Sequence, residues 1–412
     1  MLLKIATKSL LQRRVSVLLT VMMIAVSVFV LLSVETIRYQ MKESFSNTVS
    51  GVDLIVGART GELNLLLYSV FHIGNATNNI TWESYQDLKA NPNVAWTIPL
   101  SLGDSHKGYR VLGTSEALFS KFKYGKKQSL ELAEGKQFEQ LYDAVLGADV
   151  AKKLGYKIGD EIILAHGIAK HSFSKHKNRP FRIAGILKPT GTPIDKTVLV
   201  SLQAIEAIHK NWKHGVQLQE SHAHYKSEQL TPKAITAFMV GLKSKLATFD
   251  VQRKINTYSE EPLTALLPSA TLVELWQMLG NMEQVLLLIS MLVLLGALLG
   301  MSNMLLVSMK ERQYELAILR VVGASPLLIM LLIQIEAMLI VILGIVFAIS
   351  ALWLTIQLMS DYLISEYGLF ISVQGVNNGV LIDLAWILLA SFVVTMIPAI
   401  SAYKRSLFMS LR

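Results

Sequence analysis

Cysteine is missing altogether from the 412 residues. Disulfides, thiolate metal sites and cysteine nucleophiles are therefore excluded, while the compartment stays open, because a cysteine-free domain folds in either redox environment. Charge is also scarce: 17% of residues are Asp, Glu, Lys or Arg, against 52% that are hydrophobic. With the apolar residues gathered into runs, this balance excludes an ordinary soluble protein and points to a membrane protein with a sizeable soluble part. No glycine-rich phosphate loop is present. The nearest stretch, Gly191 to Thr197, lacks the glycine before Lys196 that lets backbone amides wrap a phosphate, and Pro193 removes one donor. It reads as a turn. No Ser/His/Asp set, carboxylate pair or internal repeat stands out.

What is there begins with residues 1–14, where Leu2, Leu3, Ile5, Leu10 and Leu11 alternate with Lys4, Lys8, Arg13 and Arg14 as in an amphipathic helix at a membrane interface. Residues 15–34 carry no charge and are long enough to span. A cleaved signal peptide would have a shorter core followed by a small-x-small site; SVETIRYQ follows instead, so an uncleaved anchor is expected. Three further spans are expected at 285–307, 326–359 and 380–398. The fold class is thus a membrane protein of four transmembrane α-helices, one plus three, with a large α+β domain inserted between the first and second spans.

Orientation follows from Lys and Arg. The N-terminal segment, the 308–325 loop and the tail at 399–412 hold four, three and three of them, and the 360–379 loop none. The first three are therefore expected in the cytoplasm, and the net charge of +9 needs no nucleic-acid partner. The 35–283 segment then lies outside the cytoplasm. Helical stalks are expected at Glu35–Ser50 and Leu272–Gln284. Between them, strands are expected at Val52–Val56, Tyr109–Leu112, Glu161–Leu164, Phe181–Leu187 and Thr197–Val200, and helices at Trp82–Ala90, Phe138–Leu141, Gly147–Leu154, Leu202–Lys210 and Pro232–Ala247.

The stretch SMKERQYELAILRVVGAS (Ser308–Ser325) sets Lys310, Glu311, Arg312, Glu315 and Arg320 between two apolar runs, with Gly323 as a break. Glu311 and Glu315, four apart, share a helix face and can pair with basic residues of a partner. The stretch is either a solvated loop face or a docking helix. Glu336 is a lone acid inside the third span, costly in lipid, with a packing role ahead of a relay. Gly296 and Gly300 form a small-xxx-small face suited to close helix approach, including a dimer seam. Seven of the nine histidines lie within 166–224. His222 and His224 share one side of an extended chain, and with His166, His171 and His176 they are candidate metal ligands. The neighbouring Lys170, Lys175, Lys177 and Arg179 would repel a cation, and a basic loop touching an anionic headgroup or acidic partner competes with that reading.

Taken in order, LELAEGKQF (Leu130–Phe138), AVLGADVAKKLGYKIGDEIIL (Ala144–Leu164), FRIAGIL (Phe181–Leu187), KERQYELAILRVVGAS (Lys310–Ser325) and PAISAYKRSL (Pro398–Leu407) resemble the signature segments of MacB/LolCDE/FtsX-type ABC transporter permeases. The resemblance covers nearly the whole chain. It implies a bacterial inner-membrane permease, both termini cytoplasmic and a MacB-like core domain at 35–283 in the periplasm. Such a permease transmits cytoplasmic ATP hydrolysis to its outer domain by mechanotransmission and is not itself an enzyme. ATP and Mg2+ would sit on a separate ATPase dimer, since no ATPase motif is fused here as it is in MacB. Lys310, Glu311, Arg312, Glu315, Arg320 and Gly323 would form the coupling helix. The implied partners are that ATPase dimer, a second permease copy or homologue, membrane lipids and a periplasmic adaptor or substrate-binding protein. Cargo would be lipophilic, peptide or lipoprotein. An FtsX-like signalling permease and a zinc-linked transport system are the alternatives.

Overall fold

The structure, a computed structural model, describes residues 2–48, 50–125, 127–167, 179–210, 212–213, 216–217, 230–362 and 378–408. The chain divides into two compact units. One holds Met1–Gln40, Gly280–Asp361 and Ile371–Arg412, and the other is built mainly of Met41–Leu279.

In the first unit a short helix, α1 (Leu2–Gln12), leads into α2 (Arg14–Thr48). After the second unit come α3 (Pro268–Glu311), α4 (Gln313–Val321), α5 (Pro326–Tyr362) and α6 (Asn378–Phe408). Of these, α2, α3, α5 and α6 are long and apolar enough to cross a membrane. Val17, Val21, Ile24, Val28 and Leu31 place a helical stripe of α2 against Leu294, Leu298, Met301 and Leu305 of α3 and Ala337, Ile340, Val341 and Ile345 of α5. A Cβ on Gly344 would lie 2.7 Å from Ile24, so this glycine sets how closely α5 approaches α2. Between α5 and α6, Gln334 Nε2 donates to Thr395 Oγ1 at 2.8 Å and to the Phe392 carbonyl at 3.2 Å.

The second unit is organised around an eleven-stranded sheet. In chain order its strands are β1 (Leu54–Ala58), β2 (Val94–His106), β3 (Tyr109–Thr114), β4 (Leu132–Gly135), β5 (Asp143–Leu146), β6 (Glu161–Ile162), β7 (Ala165–His166), β8 (Phe181–Leu187), β9 (Thr197–Ser201), β10 (Ala237–Leu242) and β11 (Leu263–Leu266). The order across the sheet is β11-β1-β10-β2-β3-β9-β5-β8-β4, with β7 on β2 and β6 on β8. The long β2 joins two halves: Val94–Leu100 pairs with β10, and Ser101–His106 pairs with β3. Both faces are covered. Ile55, Leu112, Val145, Leu199 and Met239 face one core, and their neighbours Leu54, Val56, Phe238 and Val240 face a second. Val111, Ala144, Leu146, Val198 and Val200 face a third.

Two expected helices are corrected by this arrangement. Pro232–Ala247 contains strand β10 and ends in a 3-10 turn, Lys245–Ala247. A strand buried on both faces reads as a continuous apolar run, which periodicity alone does not separate from a buried helix. Phe138–Leu141 is irregular: Asp143 Oδ2 accepts from the Glu139 and Gln140 N–H groups at 3.0 and 2.8 Å, and that side-chain turn replaces helical bonding. The stretch at Gly191–Thr197 is a turn, closed by Asp195 accepting from the N–H groups of Thr190 and Gly191.

Candidate functional site

The charged segment between α3 and α5 is a kink, a short helix and a sharp stop. Arg312 breaks the long α3 from α4 with φ −97° and ψ 14°. α4 ends on paired bonds, Gly323 N–H to the Arg320 carbonyl at 3.0 Å and Ala324 N–H to the Leu319 carbonyl at 2.9 Å. Gly323 takes φ +104°, the left-handed conformation such a Schellman stop requires. Arg320 Nη1 donates to the Ala324 carbonyl at 2.8 Å and braces the same corner. Ser325 then caps α5 through the Leu328 N–H, and Pro326 takes the first helical position, where its missing N–H costs nothing.

Beneath the kink lies a buried ion cluster. Glu336 of α5 is 1% exposed, and Arg312 Nη1 donates to its two oxygens at 2.9 and 3.0 Å. The same nitrogen donates to Ser9 Oγ of α1. Arg13 Nη2, at the α1–α2 junction, is 3.6 Å from Glu336 and donates to Ser9 at 3.3 Å. Two guanidiniums and one deeply buried carboxylate therefore tie α1, the start of α2, the α3–α4 kink and α5 to one point. The cluster carries donors in excess: Arg13 Nε and Nη1 find no hydrogen-bond partner among the described residues.

Above the kink α4 has no fully buried residue, and its half-buried Leu316 packs against Met309, Ile329, Ile333 and Ala402. Tyr314, Ile318, Val321 and Val322 are 77%, 63%, 88% and 81% exposed. At spacings of four, seven and eight they form one apolar helix face. Lys310, Glu311, Glu315 and Gly323 are exposed around it. The six residues singled out from the sequence thus separate into four at the surface, Arg312 turned inward and Arg320 bracing the stop. Tyrosine, isoleucine and valine at helical spacing are the sequence signal of this apolar face, interleaved with the charges of the same stretch. Glu336 was visible as an isolated acid, but partners 24 and about 323 residues away in sequence were not.

Gly300 and Gly296 part company. A Cβ on Gly300 would meet the Met23 side chain at 2.8 Å, within the same chain, whereas Gly296 has open space around it. Of the candidate histidines, His171, His176, His222 and His224 lie outside the described residues. His166 is brought beside Asp104 and His209. Burial alone would raise the Asp104 pKa, but the two imidazoles hold it well below the ordinary carboxylate range. Burial also pulls His209 down, and the Asp104 carboxylate and the Ile205 carbonyl more than offset this and raise it.

Comparison with known proteins matches two successive parts of the chain. Residues 17–258 match the family described as MacB-like periplasmic core domain, and residues 287–411 match the FtsX-like permease C-terminal family. Both are permease domains, and no ATPase domain is found in the chain. Among solved structures, the chain is similar to the periplasmic region of MacB from Actinobacillus actinomycetemcomitans, at 10% identity and a TM-score of 0.35, covering 57% of this chain and 95% of that one. It is also similar to the extracellular domain of the noncanonic ABC-type transporter YknZ from Gram-positive bacteria, at 12% identity and a TM-score of 0.31, covering 52% of this chain and 98% of that one. A comparison with curated proteins gives no match. With a MacB-like core domain matched over more than half its length, and an FtsX-like domain spanning the helices after it, this multi-pass membrane chain belongs to the MacB/FtsX family of ABC transporter permeases.

Proposed function

We propose that the chain is the permease subunit of an ATP-driven system that extracts or exports a lipophilic, peptide or lipoprotein cargo by mechanotransmission. The carrying observation is the α4 helix, whose exposed apolar face of Tyr314, Ile318, Val321 and Val322 rests on the buried Arg312–Glu336 clamp. A short helix that leaves this face exposed, packs Leu316 on the other side and is anchored beneath to three other helices suits a handle. A separate ATPase dimer takes hold of it in the cytoplasm, with the apolar face in a groove and Lys310, Glu311 and Glu315 at the rim. Arg312 passes the movement to α1, α2 and α5, while Arg320 and Gly323 keep the corner stiff. The Lys and Arg distribution supports cytoplasmic termini and a periplasmic position for the inserted domain. ATP and Mg2+ belong to the ATPase. A second permease copy or homologue completes the membrane part, and a periplasmic adaptor or substrate-binding protein receives the cargo.

The test is a complex co-expressed with its cognate ATPase. Glu311→Lys with Glu315→Lys leaves the permease folded and removes ATPase co-purification and stimulation; a stimulated ATPase still bound to this variant contradicts the coupling role. In reconstituted vesicles, ATP-dependent release of cargo supports transport. Cargo-independent activation of an external hydrolase would replace transport by signalling.

A further inference from the structure

The second unit holds a cluster that the coupling reading does not use. Asp104 lies on β2 at an irregularity where four residues, Leu102 to Ser105, pass opposite three of β3, Leu112 to Arg110. Such a bulge re-aims a side chain. His166 on β7 is its direct cross-strand partner. His209 is the last residue of the helix Leu202–His209, whose start is capped by Ser201. Three separate elements thus deliver one donor atom each to a common point.

The distances are those of metal ligands. His166 Nδ1 is 3.0 Å from Asp104 Oδ1, His209 Nε2 is 3.3 Å from His166 Nδ1, and His209 Nε2 is 3.6 Å from Asp104 Oδ1. A tetrahedral ion with bonds of about 2.0–2.1 Å holds its ligand atoms about 3.3–3.4 Å apart. An octahedral ion with the same bonds holds them about 2.8–3.0 Å apart. The three edges average 3.3 Å and match one face of the tetrahedron.

Two further observations point to a cation. Asp104 is 3% exposed, and its Oδ1 finds no hydrogen bond of acceptable geometry among the described residues, although both imidazoles are close. Ligand atoms that converge on a shared centre leave an oxygen in that condition, while His209 Nε2 and His166 Nδ1 share a 3.3 Å hydrogen bond across that centre. His209 Nδ1 lies 2.8 Å from the Ile205 carbonyl and donates its proton there, so Nε2 presents a lone pair to the cluster. This outer bond is the usual way a metal-binding imidazole is held in the required tautomer. The two imidazoles are each about one-third exposed, which gives an ion a way in.

We propose that Asp104 Oδ1, His166 Nδ1 and His209 Nε2 form a three-ligand site for a divalent zinc-type cation, with water or a donor from another molecule as the fourth ligand. A site of this open kind exchanges its ion more readily than a closed four-ligand structural site. The donor set of two imidazoles and one carboxylate suits Zn2+ over Ca2+ or Mg2+, which favour oxygen ligands. It stands apart from the coupling proposal, since neither needs the other.

The experiment uses the full chain in detergent, exposed to Zn2+, desalted and measured for bound metal against a competing chelator. One Zn2+ per chain is expected, with affinity lowered at least about 100-fold in His166→Ala/His209→Ala and at least about tenfold in Asp104→Asn. Replacing His171, His176, His222 and His224 by alanine leaves the site intact. Zn2+ raises the unfolding temperature of the wild type and not of the double variant, and Co2+ bound in its place shows the intense visible bands of four-coordination. No bound metal in the wild type, equal binding by the double variant, or binding that disappears only with the four other histidines overturns the proposal.

Discussion

Glu336→Gln removes a single charge, keeps the side-chain shape, and leaves two guanidiniums facing no buried carboxylate. Of the Arg312 bonds at 2.9 and 3.0 Å, only the one to the remaining amide oxygen can persist, now to a neutral acceptor, and Arg13 loses a charged neighbour at 3.6 Å. Removing one partner of a buried pair typically costs about 3–5 kcal/mol, because the remaining charge is stranded. The same substitution at Glu315, which is 55% exposed and 3.5 Å from Arg312 Nε, costs less than about 1 kcal/mol. Burial, not distance alone, separates the two acids. Adding Arg312→Gln to Glu336→Gln takes away one of the two stranded charges and leaves Arg13, so the double variant recovers about 1 kcal/mol or more relative to the sum of the singles. Because the chain is free of cysteine, one cysteine placed at the exposed Gln313 carries a probe without background labelling. Denaturant titration in bicelles, read at that probe, reports the loosening of α4. A Glu336→Gln protein within about 1 kcal/mol of wild type, or strict additivity in the cycle, would refute the clamp.

Three other outcomes follow from particular contacts. Gly344→Ala puts a methyl 2.7 Å from Ile24 and destabilises the helix packing by about 1–3 kcal/mol, whereas Gly296→Ala is neutral in the isolated chain and shows itself only if that face meets a second copy, as thermal unfolding and cross-linking yield will report. Gly147→Ala drives its Cβ into the carbonyl oxygens of Ile194 and Asp195, so the inserted unit should unfold by more than about 2 kcal/mol earlier in urea, with the shift measured against Gly61→Ala in open space. His72, beside Thr197 Oγ1 at 3.0 Å, has its pKa pulled down to about 4 by burial and by the charge of Arg110. A folded pKa below the unfolded value of about 6.5 favours folding above pH 6.5, and that contribution is lost as pH falls from about 6.5 toward 4. It amounts to at most about 3 kcal/mol, and His72→Asn, tolerated at its φ of +56°, should flatten this part of the pH profile in denaturant unfolding.

The long helices and their order were readable because their signal is composition over 20 or more residues, which no tertiary contact has to supply. Strands such as Phe181–Leu187 and Thr197–Ser201 were readable from β-branched runs between turn residues. Others were not. Ala237–Leu242 packs between two cores, and its AFMVGL shows no alternation to distinguish it from a helix. The long β2 contains Pro99, Gly103 and several polar residues, a composition unfavourable to a strand, and it is formed because both halves of the sheet pair with it. At the kink, the charges of 310–320 stood out, yet their division into inward and outward groups depends on Ser9 and Glu336 from distant helices. Asp104 carried no motif at all; only the pairing of β2 with β7 brings it to His166.

The most direct test of the account is the ATPase rate of the permease–ATPase complex carrying Ile318→Glu with Val321→Glu. These side chains are 63% and 88% exposed, so the permease's own folding should be unchanged. Full burial of such a side chain in a partner groove contributes about 1.5–3 kcal/mol, and a carboxylate in its place costs more, so binding should weaken by more than about 100-fold and ATPase stimulation disappear. A complex that keeps wild-type affinity and stimulation would contradict the assignment of α4 as the handle.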